Sequence, residues 1–237
     1  GSLRRSIALY PTNAYAQDAH MSLSDFEDFL YHACFLDEED PIAHWQKLSN
    51  QQDHLIKRLT GKRTVHIVGP DTDLTLSIDG RTFLNDDARG NFPGGEFFTG
   101  PVEHSAHGHI HYTFPSSYNG HSVEDIRLRF EQGKVVDAQA SQGQAYLEKM
   151  LQLDAGASRL GEFAFGNNGN INRPTKNILF DEKMGGTIHL ALGASFPATG
   201  GVNQSMLHWD MVFDLRQGSE IWVDNELFCR DGCFTNL

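Results

Sequence analysis

Near residue 62 the apolar residues of this chain stop recurring at helical intervals and begin to alternate. That change of period constrains the fold more than any other feature of the sequence. Before it, Phe26, Phe29, Leu30 and Ala33 follow Ser24-Asp-Phe-Glu27, which has capping-box spacing. Asp40-Pro41 then opens a second helix, with Asp as N-cap and Pro at the first helical position. Ile42, Trp45, Leu48, Leu55, Ile56 and Leu59 form its apolar stripe, and Gly61 ends it. Residues 1–20 are polar and weakly patterned, with Pro11 and Asn13 as breakers. Beyond the change, Thr64-Val-His-Ile-Val68 and Asp73-Leu-Thr-Leu-Ser-Ile78 read as strands, with Asp79-Gly80 as a hairpin turn. Further strands are expected at 107–113, 124–130, 134–140, 161–166, 187–192, 206–214 and 220–224, with one helix at 143–153. The expectation is an α+β chain: a helical connecting section over 1–62, then a mostly antiparallel or mixed sheet domain over 63–237.

The 237 residues are enough for a real core, and a formal net charge of −12 argues against nucleic acid, whose phosphates need clustered Lys and Arg. No apolar run approaches the roughly 18 residues of a membrane span and no signal-peptide core opens the chain, so a cytoplasmic protein without a membrane role is expected. Gly1-Ser2 reads as a cloning scar. Cys34, Cys229 and Cys233 make neither a disulfide framework nor a four-thiolate zinc site, and Cys229 and Cys233 are expected as two surface thiols.

Two apolar segments carry the chemistry: Gly186-Thr-Ile-His189-Leu-Ala-Leu-Gly193 and Asn203-Gln-Ser-Met-Leu-His208-Trp-Asp210. On a strand, His208 and Asp210 point to one face and Trp209 to the other. Upstream, Glu96 and Glu162 each follow a Gly and precede a Phe. Each residue also has a bland reading: a hydrogen-bonded His208–Asp210 pair, a core imidazole at His189, a cap or turn carboxylate at Glu96 and Glu162. Charged groups in apolar settings must nevertheless be compensated, and a pair of divalent cations would compensate all five at once. A rival cluster, His104-Ser-Ala-His107-Gly-His109-Ile-His111, is polar enough for solvent and reads as adventitious metal binding at most. The Asn-rich segment 166–170 reads as a loop near the site.

At these residues the chain resembles the thermophilic-type metallo-aminopeptidases, the aminopeptidase T and aminopeptidase S group. The likeness runs through Met21-Ser-Leu-Ser-Asp-Phe-Glu-Asp-Phe29, Thr72-Asp-Leu74, Asn91-Phe-Pro-Gly-Gly-Glu96, Gly161-Glu162, Asn177-Ile-Leu-Phe-Asp-Glu-Lys183, His189-Leu-Ala-Leu-Gly193 and His208-Trp-Asp210. The resemblance implies two divalent ions (zinc, cobalt or magnesium) held by Glu96, Glu162, Glu182, His189, His208 and Asp210. Glu162 would be the bridging or base-like carboxylate, and Glu182, in the charged run Asp181-Glu-Lys183, reads on its own as solvated. It further implies a peptide substrate with a free N-terminus, a homodimer, and an N-terminal α/β domain that this sequence does not contain. Phe196 stands where the family has an oxyanion-donating Tyr, which implies weakened turnover; Tyr112 or Tyr118 would substitute only if brought close. The alternative is a truncated relative that binds metal or peptide without efficient catalysis.

Overall fold

A computed structural model describes residues 5–236, so Gly1-Ser2 lies outside the described residues. Two antiparallel sheets dominate it. The larger runs in the order Lys134–Gln139, Ile126–Glu131, His107–Tyr112, Thr72–Ser77, Thr64–Gly69, Glu220–Val223, Glu226–Arg230 and Cys233–Phe234. The smaller runs His208–Asp214, Thr187–Gly193, Leu160–Gly166, Glu96–Thr99 and Leu84–Asp86. One apolar cluster joins them, taking Val65, Ile67, Leu74 and Leu76 from the larger sheet and Phe163, Phe165, Ile188, Leu190, Trp209 and Met211 from the smaller. The class is α+β.

The helices pack against this pair of sheets. Helix Pro41–Leu59 is capped by Asp40, whose carboxylate accepts from the Ala43 N–H, and Leu55 and Leu59 enter the main cluster. Its buried Gln52 donates to the Glu96 carbonyl at 2.9 Å and to the Asp86 carbonyl at 3.3 Å, pinning the last two strands of the smaller sheet. Helix Leu23–Ala33 builds a second cluster, in which Phe26, Leu30 and Ala33 meet Ile171, Phe180 and Met184. The N-terminal helices thus buttress the segment that carries Glu182. Among the described residues no helix is long and apolar enough to cross a membrane.

Several sequence expectations need correction. The cap of Leu23–Ala33 is Ser22, whose hydroxyl accepts from the Asp25 N–H at 3.1 Å; Ser24 already lies inside the helix. Residues 13–18, expected as unpatterned, form a helix capped by Thr12, because Ala16 buries against the second cluster. Asp79-Gly80 does turn the chain, with an Arg81 N–H to Ile78 carbonyl bond of 3.0 Å, but it delivers the chain to the other sheet. The hairpin of Thr64–Gly69 with Thr72–Ser77 closes instead at Pro70-Asp71. The turn chemistry was legible, while the partner of the next strand was decided by packing.

Cys229 is buried, and only Cys233 of the expected surface pair is exposed. Burial pushes the Cys34 and Cys229 thiols up to about 12. One thiol should therefore react with a disulfide reagent in the folded protein at about pH 8, and three in denaturant, since only a thiolate attacks. Fast native reaction of two or more would contradict the buried placement of Cys34 and Cys229.

Candidate metal centre

The alternation of the smaller sheet separates core from site. Phe97, Phe163, Phe165, Ile188, Leu190, Trp209 and Met211 point to the apolar cluster. Their neighbours Glu96, Glu162, His189, His208 and Asp210 share the opposite face, as period-2 side-chain geometry demands. The register then places Ala or Gly beside each polar group: Gly166 opposite Glu96, Ala164 opposite His189, Ala191 between Glu162 and Asp210, Gly193 opposite His208. Small partners leave the space above the ladder to the long polar side chains. Gly161 falls at a bulge in this ladder, where an added Cβ would strike the carbonyls of Gly193 and Ala194.

The polar groups converge closely. His189 Nε2 lies 3.3 Å from Glu96 Oε2, 3.6 Å from Glu162 Oε1 and 3.9 Å from Asp210 Oδ1. His208 Nε2 lies 3.2 Å from Glu162 Oε2 and 3.6 Å from Asp210 Oδ1. Glu162 therefore presents one oxygen to each imidazole. The Nδ1 of His208 is 2.9 Å from the Ala194 carbonyl; as the donor there, it would leave the Nε2 lone pair free toward the carboxylates. Trp209, between the two ligand-type residues, turns away and donates to Ser116 Oγ at 2.7 Å.

All six residues singled out in the sequence meet here. Among the described residues, the three groups able to hold an ion are Glu96–Glu162–His189, Glu162–His208–Asp210 and Glu182–His189–Asp210, each with its donor atoms within 4.8 Å. Glu182 is not the solvated carboxylate its charged run suggested. It follows the short helix Ile178–Asp181, whose Phe180 is fully buried, and so is carried inward. The Asn-rich loop lies alongside, with Asn168 buried and donating to the Ala33 and Gly94 carbonyls. The rival histidines lie on the other sheet: His107 and His109 are exposed, and His111 pairs with Asp125 at 2.5 Å, a carboxylate partner the sequence did not suggest.

Sequence reasoning missed two residues. Lys183 is fully buried, with Nζ 3.2 Å from Glu96 Oε1, 3.6 Å from Asp86 Oδ2 and in contact with Glu182. Asp86 comes from a three-residue strand too short to show a period.

The electrostatics call for positive charge. Burial pushes Asp86 and Asp210 up to about 6 and Glu96 well above its usual range. Burial also pushes Glu162 upward, but the two imidazoles facing it outweigh that and hold it near 2. Both imidazoles, lowered by burial, are lifted further by the carboxylates, His189 to about 10 and His208 to about 9. Glu96 Oε2, Asp210 Oδ1, Asp86 Oδ2 and His189 Nδ1 are buried without a hydrogen-bond partner. Unpartnered carboxylate oxygens at such cost, mixed with imidazole nitrogens, form a donor set able to hold a metal ion.

A cleft of about 680 Å³ opens above the cluster. The side chains of Phe98, Phe196, Tyr118, Ile178, Asp87 and Arg89 line it. Phe196 stands edge-on to His208, ring centroids 5.3 Å apart. Tyr118 reaches the same cleft and stacks on Trp209, whereas Tyr112 is buried in the core with its hydroxyl unpartnered.

Comparison with known proteins places the chain among relatives of the same fold. The chain is 32% identical to Aminopeptidase 2 of Geobacillus stearothermophilus over 243 residues, covering 87% of this chain and 58% of that protein. It superposes on the structure of wild-type AmpT from Thermus thermophilus with a TM-score of 0.79 at 24% identity, over 90% of this chain and 59% of that one. A 2,5-dihydroxypyridine dioxygenase from Pseudomonas putida KT2440 also shares the fold, with a TM-score of 0.68 at 15% identity, over 98% of this chain and 70% of that one. Fold alone therefore does not set the chemistry. The chain spans little more than half of the aminopeptidases it matches. Residues 1–234 match the model of the thermophilic metalloprotease (M29) family, and with carboxylate and imidazole groups meeting on one face of its smaller sheet, the chain belongs to that family.

Proposed function

We propose that the chain carries the two-ion centre of an aminopeptidase, which releases N-terminal residues from peptides. The observation that carries this reading is the pair of triads sharing Glu162, with an oxygen toward each imidazole. Residues 63–237 would form the catalytic unit, with 1–62 as its buttress. Glu96, Glu162, Glu182, His189, His208 and Asp210 would hold the ions. Zinc, cobalt or magnesium bound there supplies Lewis acidity toward the scissile carbonyl and acidifies water. Glu162, common to two of the triads, would serve either as the bridge between the ions or as the base that takes a proton from an attacking water and returns it to the leaving amine. The acidic floor of the cleft attracts the free α-ammonium of a peptide, and the aromatic wall holds the first side chain away from water.

One observation favours a second reading, of a metal- or peptide-binding protein with weak turnover. Phe196 presents an apolar edge to the cleft, where a hydroxyl would serve a developing oxyanion.

Elemental analysis of protein purified without chelator tests the main reading. About two equivalents of divalent metal are expected, and hydrolysis of aminoacyl-nitroanilides should stop with chelator and return with cobalt or zinc. An ordered protein that takes up no ion would end it.

A further inference from the structure

We propose that Lys183 is a resident cation of the centre, a positioning residue that grips Glu96 and Glu182 from behind and leaves their other oxygens for the ions. This rests on the two-ion reading above. Lys183 Nζ faces Glu96 Oε1, while Glu96 Oε2, on the His189 side, has no hydrogen-bond partner. The two oxygens of one carboxylate are thus divided between the ammonium and the centre. The same ammonium touches Glu182 and has Asp86 3.6 Å behind it.

Two physical arguments support the assignment. A fully buried ammonium is costly, and an apolar residue of like volume usually serves stability as well or better, so its place here points to the site. The charge count agrees. Five carboxylates (Asp86, Glu96, Glu162, Glu182 and Asp210) surround two imidazoles and one ammonium. With neutral imidazoles, two divalent ions leave one negative charge over, and the ammonium cancels it. Outer partners of this kind fix the orientation of ligating carboxylates.

Calorimetric titration with cobalt or zinc tests the proposal, using Lys183→Met. The unaltered chain should bind two ions. The variant should lose about 10–100-fold in affinity at the Glu96/Glu182 side and stay within about threefold at the Glu162–His208–Asp210 side. The visible spectrum of the cobalt form should change for one ion only. Lys183→Gln, which keeps a donor, should recover part of the loss. Unchanged or tighter binding at both positions, or equal weakening of both, overturns the proposal. If Lys183→Met does not fold, Asp86→Asn must produce the same one-sided loss in smaller measure, and no loss there overturns it. Absence of ion binding by the unaltered chain removes the two-ion reading and this one together, whereas two ions bound identically by chain and variants removes this one alone.

Discussion

Replacing Glu162 by Gln is expected to lower turnover by the proposed peptidase by about 10²–10⁴-fold while leaving the fold in place. The substitution keeps the shape of the side chain and removes its charge, the negative group that both imidazoles face at 3.6 and 3.2 Å. Whichever of ion bridging and proton transfer Glu162 serves would be lost. Both ion affinities should fall, since Glu162 belongs to the Glu96–Glu162–His189 and the Glu162–His208–Asp210 groups alike. His208→Asn, by contrast, should weaken one position. Circular dichroism would check the fold, and a nitroanilide assay with added cobalt the rate. Turnover that persists in Glu162→Gln sinks the role assigned to it.

Phe196→Tyr is expected to act in the opposite direction, raising turnover by about 10², the worth of one oxyanion donor. The ring already stands in the cleft against His208 and Phe98, with 39% of the residue exposed, so a hydroxyl at its tip needs no repacking. The gain should fall on kcat with little change in KM, because the hydroxyl serves charge that develops only in the transition state. A flat response would favour the binding-protein reading, or show that Tyr118, already in the cleft, supplies the donor.

The parts legible in the sequence were those with a period long enough to read. The His208–Asp210 pair sits on a seven-residue strand whose alternation sends Trp209 to the core, and both the strand and the shared face follow from spacing. Glu162 and His189 lie on equally long, fully buried strands. Glu96 offered no such signal, because its strand has four residues and its expected setting was a turn. Lys183 was missed, and the burial of Glu182 was hidden, for a different reason. A run of three charged residues looks solvated, but Asp181 is buried, accepting from the Thr175 and Lys176 N–H groups, and Phe180 anchors the segment under Phe26 and Phe29. That anchoring depends on a helix some 150 positions earlier in the chain, and no local pattern reports it.

The small residues opposite Glu96, Glu162, His189, His208 and Asp210 have a consequence for how such proteins diversify. This polar face is built into a hydrogen-bonded ladder, whereas the cleft is also lined by the 84–91 stretch, by 117–118 and by Phe196. On the reading proposed above, Leu84, Asn91 and Ser117 at the mouth could be exchanged to admit different first side chains, whereas Asp86, Tyr118 and Phe196 on the same rim stay tied to the centre beneath.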